Sequence, residues 1–172
     1  GMWNLEEREN NLFDGGSHFY NTYETSDNKF ISIGSLEPKF YNLLKDKLGI
    51  TDPQFNNQMS KDNWPELKIK TAAIFKTKTQ QQWNKILENT DICYAPVLSL
   101  NEAKKHPHLI ERGNFIELDG ITQPSPAPRF SLTKSDKPKP APEKGQDNNE
   151  ILMNIGYSSN EIEDLIKNNT IK

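Results

Sequence analysis

The chain has 172 residues, 33% of them apolar, with 21 basic against 24 acidic residues and a net charge of −3. That length fits one domain and is short for an ordinary two-domain enzyme, while the low apolar share implies a modest core that leans on a partner. No basic stripe neutralises phosphates, which argues against nucleic acid, and no apolar run approaches the roughly 18 residues of a membrane span.

The N-terminal "GMWNLEEREN" lacks the basic-then-apolar pattern of a signal peptide, so a soluble, cytoplasmic protein is expected. Gly1 ahead of Met2 reads as a scar of tag removal. Residues 1–14 read as a polar lead-in segment or linker, and Asp14-Gly15-Gly16 closes it with a loop able to approach a backbone or ligand closely. β-Formers on both sides of Ser26-Asp27-Asn28-Lys29 predict a hairpin. Pro38 suits a first helical position, and Phe40, Leu43, Leu44 and Leu48 make one apolar face that ends at Gly49.

Beyond a polar connection, Trp64, Leu67, Ala72 and Phe75, then Trp83, Ile86 and Leu87, predict a helix pair with Thr79 as the N-cap between them. "ICYAPVL" is β-branched with Pro96 inside it, which makes it an edge or irregular strand. Ser99 and Glu102 have capping-box spacing and start a short helix over "SLNEAKKH". "GNFIEL" from Gly113 reads as a strand. Six of the eleven prolines then crowd Pro124 to Pro142, predicting an extended surface crossover. Two short helices around Gly156 close the chain, the second starting at Ser158 or Ser159. The resulting organisation is a lead-in over 1–14, an α+β domain over 15–123, the crossover over 124–142 and a helical segment over 143–172.

Chemistry-bearing residues are sparse. Cys93, the single cysteine, sits in an apolar context that predicts a buried small hydrophobe. His106 and His108 flank Pro107 and lack the helical i, i+4 spacing of a metal pair, so they read as solvated or capping imidazoles at a helix end or loop; no metal site is expected. No nucleophile elbow, P-loop or dinucleotide fingerprint is present. Glu37 stands between a strand and the mouth of a helix, whose N–H groups favour an ionised carboxylate. Position alone leaves two readings for it, a helix-start stabiliser or a carboxylate that orients a histidine.

The stretches "NNLFDGGSHFYNTYETSDNKFISIGSLEPKFYNLL", "NQMSKDNWPELK", "TDICYAPVLSLNEAKKHPHLIERGNF" and "PSPAPRFS" occur in this order along the chain. Together they resemble the C-terminal part of the α-methylacyl-CoA racemases, within the CaiB/BaiF class of family III CoA transferases. The resemblance implies the small α+β domain of that fold: a hairpin and short antiparallel sheet with flanking helices, a Pro-rich crossover and C-terminal helices. It implies an acyl-CoA thioester as substrate, with CoA entering only as part of it and no separate cofactor. It also implies a large domain of the same family as partner, carrying the catalytic His and Asp, and a homo-oligomer.

The family's supporting glutamate, in "G-A-I-E-P-Q-F", falls on Glu37 of "GSLEPKF". Its "D-G-G-A-P-F-Y" falls on Asp14, Gly15, Gly16, Phe19 and Tyr20, with Ser17 and His18 in place of Ala and Pro. The resemblance therefore makes Gly15, Gly16, Ser17, His18 and Tyr20 substrate-binding candidates and Glu37 a supporting carboxylate working with a histidine of the large domain. The two-glycine loop favours the racemase over the runner-up, a CoA transferase with a longer glycine run. A third reading, from a different class, is a non-catalytic assembly or CoA-ester-binding module.

Overall fold

The computed structural model describes residues 3–171, so the tag-scar reading of Gly1 and Met2 lies outside the described residues. β1 (Tyr20–Glu24) and β2 (Phe30–Gly34) form the predicted hairpin, with Tyr20 opposite Gly34 and Glu24 opposite Phe30. Its turn closes through Thr25 N–H donating to the Lys29 carbonyl at 2.8 Å, and Asn28 takes the left-handed φ of 57° that asparagine tolerates. β3 (Tyr94–Val97) adds antiparallel to β2, placing Pro96 opposite Ile31 on an edge strand, where a missing N–H costs no ladder bond. At the other edge, the Thr22 N–H is taken by the Asn21 side-chain oxygen at 2.7 Å.

One sheet face is apolar and buried. Tyr23, Ile31 and Ile33 project into a core completed by α1 (Pro38–Leu48), α2 (Trp64–Phe75) and α3 (Gln80–Leu87). Phe75 stacks on Tyr23 with ring centroids 5.3 Å apart and meets Trp83 edge-on at 5.1 Å. Each such buried side chain contributes roughly 1.5–3 kcal/mol through burial. The indole N–H of Trp83 donates to the Phe75 carbonyl at 2.8 Å, so the ring is buried without orphaning its polar handle.

The helix boundaries follow the local chemistry. α1 starts at Pro38 and ends on Gly49 at φ 67°. Thr79 and Gln82 form a full capping box at the head of α3. Gln80, almost fully buried, donates to the Phe30 and Val97 carbonyls at 2.6 and 3.0 Å and locks α3 to the strand ends. The buried face of α1 differs from expectation: Tyr41 and Leu44 are its buried residues, and Phe40 lines a surface cleft instead. Tyr41 reaches the core because its hydroxyl finds buried partners there.

The chain divides into two compact units between Glu102 and Ala103, within the short α4 (Leu100–Ala103), whose predicted Ser99–Glu102 capping contacts form. In the second unit Pro107 opens a five-residue helix, α5 (Pro107–Glu111), where the sequence suggests a helix end or a loop followed by a turn. β4 (Phe115–Leu118) is the strand expected after Gly113, and it pairs with a strand that was not foreseen, β5 (Ile121–Pro124). The connecting Asp119 and Gly120 both have positive φ, 54° and 77°, the geometry of a tight hairpin turn. Residues 125–144 then run without helix or strand. α6 (Asn148–Asn154) and α7 (Ser159–Lys167) flank Gly156, and Ser158 caps α7 in a box with Glu161. The fold is α+β, with two small antiparallel sheets among the described residues.

Candidate functional site

Chain direction changes sharply between β2 and α1, and Glu37 stands at that corner. Its backbone is extended (φ −71°, ψ 144°), and it occupies the N-cap position without making a side-chain cap bond. Among the described residues no hydrogen bond or ion pair engages the carboxylate, so helix capping does not account for the side chain. The exposed carboxylate lines a cleft of about 540 Å³ together with Phe13, Tyr20, Gly34, Phe40 and Cys93. Phe13 and Tyr20 meet edge-on at 5.0 Å and give the cleft an aromatic wall.

Gly34 lets that wall approach. A Cβ there would lie 3.3 Å from Tyr20 Cε2 and 3.8 Å from Cys93 Cβ, so the absent side chain leaves room for the ring over the end of β2. Cys93 is exposed, which overturns its reading as a buried hydrophobe. Ile92 takes the core position instead, and the left-handed φ of 56° at Cys93 re-aims the backbone just ahead of β3. Partial desolvation of the sulfur, with the nearby Glu37 and Asp91 carboxylates, raises the thiol above its ordinary pKa although the residue is exposed.

The corner is braced from two sides. Ser35 donates its hydroxyl to the Ile92 carbonyl at 2.6 Å and its N–H to the Phe19 carbonyl at 3.0 Å. Gln58, from the connection after α1, donates its side-chain amide to the Ser35 and Leu36 carbonyls at 3.1 and 2.9 Å. Neither Gln58 nor Cys93 was singled out as a site residue from sequence. Gln58 sits in a featureless polar connection, and only a long-range contact reveals it.

The glycine-loop candidates separate. Tyr20 lines the cleft beside Glu37. Gly15 has φ 92°, and its carbonyl accepts from Asn21 and Lys68 at 2.9 and 3.1 Å. Gly16 is needed for close approach, since a Cβ would fall 2.4 Å from the Asn11 carbonyl oxygen. Ser17 is buried and donates to the Leu12 carbonyl at 2.8 Å. His18 is also buried, with Nε2 2.8 Å from the Tyr41 hydroxyl. Burial lowers its pKa to about 4, so it is neutral at pH 7. Ser17 and His18 thus support the loop from inside, while Tyr20 and Glu37 face the cleft. His106 precedes α5 and His108 lies within it, both in the second unit, and no group of three or more metal-binding side chains gathers among the described residues.

This arrangement offers an unengaged carboxylate at the edge of an aromatic cleft, with no histidine in the lining. A carboxylate so placed can accept a hydrogen bond from, and stabilise the charge of, a cationic group brought to it.

Comparison with known proteins is decisive at the level of family. Residues 2–148 match the sequence pattern described as CoA-transferase family III. The chain belongs to CoA-transferase family III. It is 41% identical to the α-methylacyl-CoA racemases of Mus musculus, over 94% of this chain, and Homo sapiens, over 96%. It spans 43% and 45% of those proteins, so it corresponds to less than half of each. The crystal structure of a CaiB/BaiF family protein from Brucella suis has the same fold with a TM-score of 0.64 at 17% identity, covering 79% of this chain and 37% of that one. The mixed α/β architecture, with small antiparallel sheets and helices, is thus shared with part of a CaiB/BaiF family protein.

Proposed function

We propose that the chain supplies the small-domain half of an α-methylacyl-CoA racemase-like enzyme, which epimerises 2-methylacyl-CoA thioesters and is inactive until a large domain completes it. The observation that carries this reading is the Glu37 carboxylate, unengaged by its own helix and set in an aromatic cleft. The 41% identity to two racemases supports the same reaction class.

In the reaction, one group takes the α-proton and an enolate forms. A second group returns a proton to the opposite face, so the C–H bond broken is remade with inverted configuration. Glu37 holds a histidine of the large domain in its working orientation and favours its cationic form. Tyr20 and the Gly15-Gly16 loop lie beside the thioester. CoA participates only as part of the substrate, and the assembled enzyme is a homo-oligomer.

The test is α-proton exchange of a 2-methylacyl-CoA in deuterated water, followed by NMR, for the chain alone and mixed with a family large domain. Deuterium incorporation is expected only in the mixture and is reduced by Glu37→Gln. Incorporation by the chain alone would overturn the half-site reading. Passage of label between two CoA esters would reassign the reaction to CoA transfer.

A further inference from the structure

Gln58 is distant in sequence from the cleft, yet both N–H groups of its side-chain amide are spent on the Ser35 and Leu36 carbonyls, the two that immediately precede Glu37. The residue is itself anchored, because its backbone carbonyl accepts the Trp64 indole N–H at 2.8 Å. Trp64 is buried in the main core, so the clamp connects the core to the corner. On the other side, Ser35 is tied to Ile92 and Phe19. The Glu37 side chain makes no cap bond of its own, so the backbone beneath it alone sets where its Cα–Cβ bond points. Pro38, next in sequence, has no N–H with which to contribute.

We propose that Gln58 is a positioning residue whose amide clamps the Ser35–Leu36 carbonyls and thereby fixes the direction in which Glu37 enters the cleft. The inference rests on the reading of Glu37 as the working carboxylate, but its geometric content is measurable on the isolated chain. Cys93 reports on that geometry, because the Glu37 charge contributes to holding its thiol protonated.

The experiment titrates the alkylation rate of Cys93 with iodoacetamide against pH in the 172-residue chain, for wild type, Glu37→Gln, Gln58→Met and the double variant. Only the thiolate reacts, so a lower thiol pKa appears as faster reaction at fixed pH. Glu37→Gln is expected to accelerate alkylation at pH 7.5 about threefold, Gln58→Met about twofold, and the double variant no more than Glu37→Gln alone. A Gln58→Met rate equal to wild type, or effects of the two substitutions that multiply, would overturn the proposal. Thermal melts of each variant confirm that a folded chain is compared, and Gln58→Leu provides a second donor-free side chain.

In the mixture with a large domain, Gln58→Met should lower kcat for α-proton exchange about tenfold with KM within twofold, the mark of a lost transition-state interaction. A large domain that gives no exchange with any variant would count against the proposed reaction while leaving the Cys93 result standing.

Discussion

His18 donates its Nε2 hydrogen to the Tyr41 hydroxyl at 2.8 Å, and that hydroxyl donates its own proton to the Phe55 carbonyl at 2.8 Å. The carbonyl can only accept, so the direction of the chain is fixed and His18 is the neutral Nε2–H tautomer. Its Nδ1 is buried and meets no hydrogen-bond partner among the described residues. A proton there would place a charge in the core.

That arrangement makes stability depend on pH in a definite direction. Burial lowers the His18 pKa from 6.5 to about 4 in the folded chain, so between those values the unfolded chain binds the proton and the folded one does not. The contribution of His18 to stability therefore falls as pH drops from about 7 to about 4 and levels off below, by up to about 3 kcal/mol. Urea unfolding of wild type and His18→Gln at several pH values checks this. The contribution disappears from the variant, and parallel curves for the two proteins would contradict it.

Of the paired glycines, Gly16 is the more sensitive. A Cβ at Gly16 meets the Asn11 backbone at 2.4 Å, whereas at Gly15 the nearest atom is 3.6 Å away and only φ 92° is unfavourable. Gly16→Ala should cost more than about 3 kcal/mol and Gly15→Ala about 1–2 kcal/mol, read as the difference in urea midpoints. Equal costs would show that the Asn11 backbone yields to a Cβ at Gly16, so that the close approach does not set the requirement.

Glu37→Gln should leave the fold nearly untouched. Its carboxylate makes no cap bond, so the change in unfolding free energy should stay within about 0.5 kcal/mol while deuterium exchange in the completed enzyme falls. A large loss of stability would return Glu37 to the role of helix stabiliser.

Thr79→Ala removes one half of the capping box at α3 and should cost about 1 kcal/mol. Phe75→Ala, in contact with both Tyr23 and Trp83, should cost about 3–5 kcal/mol. A chemical-denaturation series covering both ranks a surface cap against a core ring.

The residues that write their own local structure were legible in the sequence. Pro38 and Gly49 bound α1, Thr79 and Ser158 cap α3 and α7, and Pro96 keeps β3 at an edge, each by chemistry that acts within a few residues. The motif likeness likewise pointed to Glu37 and Tyr20, which share the cleft. What escaped depends on contacts across the fold. Cys93 was misread because a β-branched context does not disclose the left-handed turn that exposes it. Tyr41 was passed over because its hydroxyl looks polar until His18 and Phe55 supply partners. β5 was missed beside Pro124, although Asp119-Gly120 carried the signal of a hairpin turn.

Each margin of the three-stranded sheet has one N–H removed from pairing: Asn21 occupies the Thr22 N–H on β1, and Pro96 withholds an N–H on β3. The outer face between them carries exposed Tyr20, Phe30 and Val97. Lengthening the sheet with a fourth strand from another molecule is thereby disfavoured, which protects this half-length chain from ribbon-like aggregation. The companion domain proposed above would then be selected through side-chain shape on that face, a criterion that depends on its sequence in a way that main-chain pairing does not.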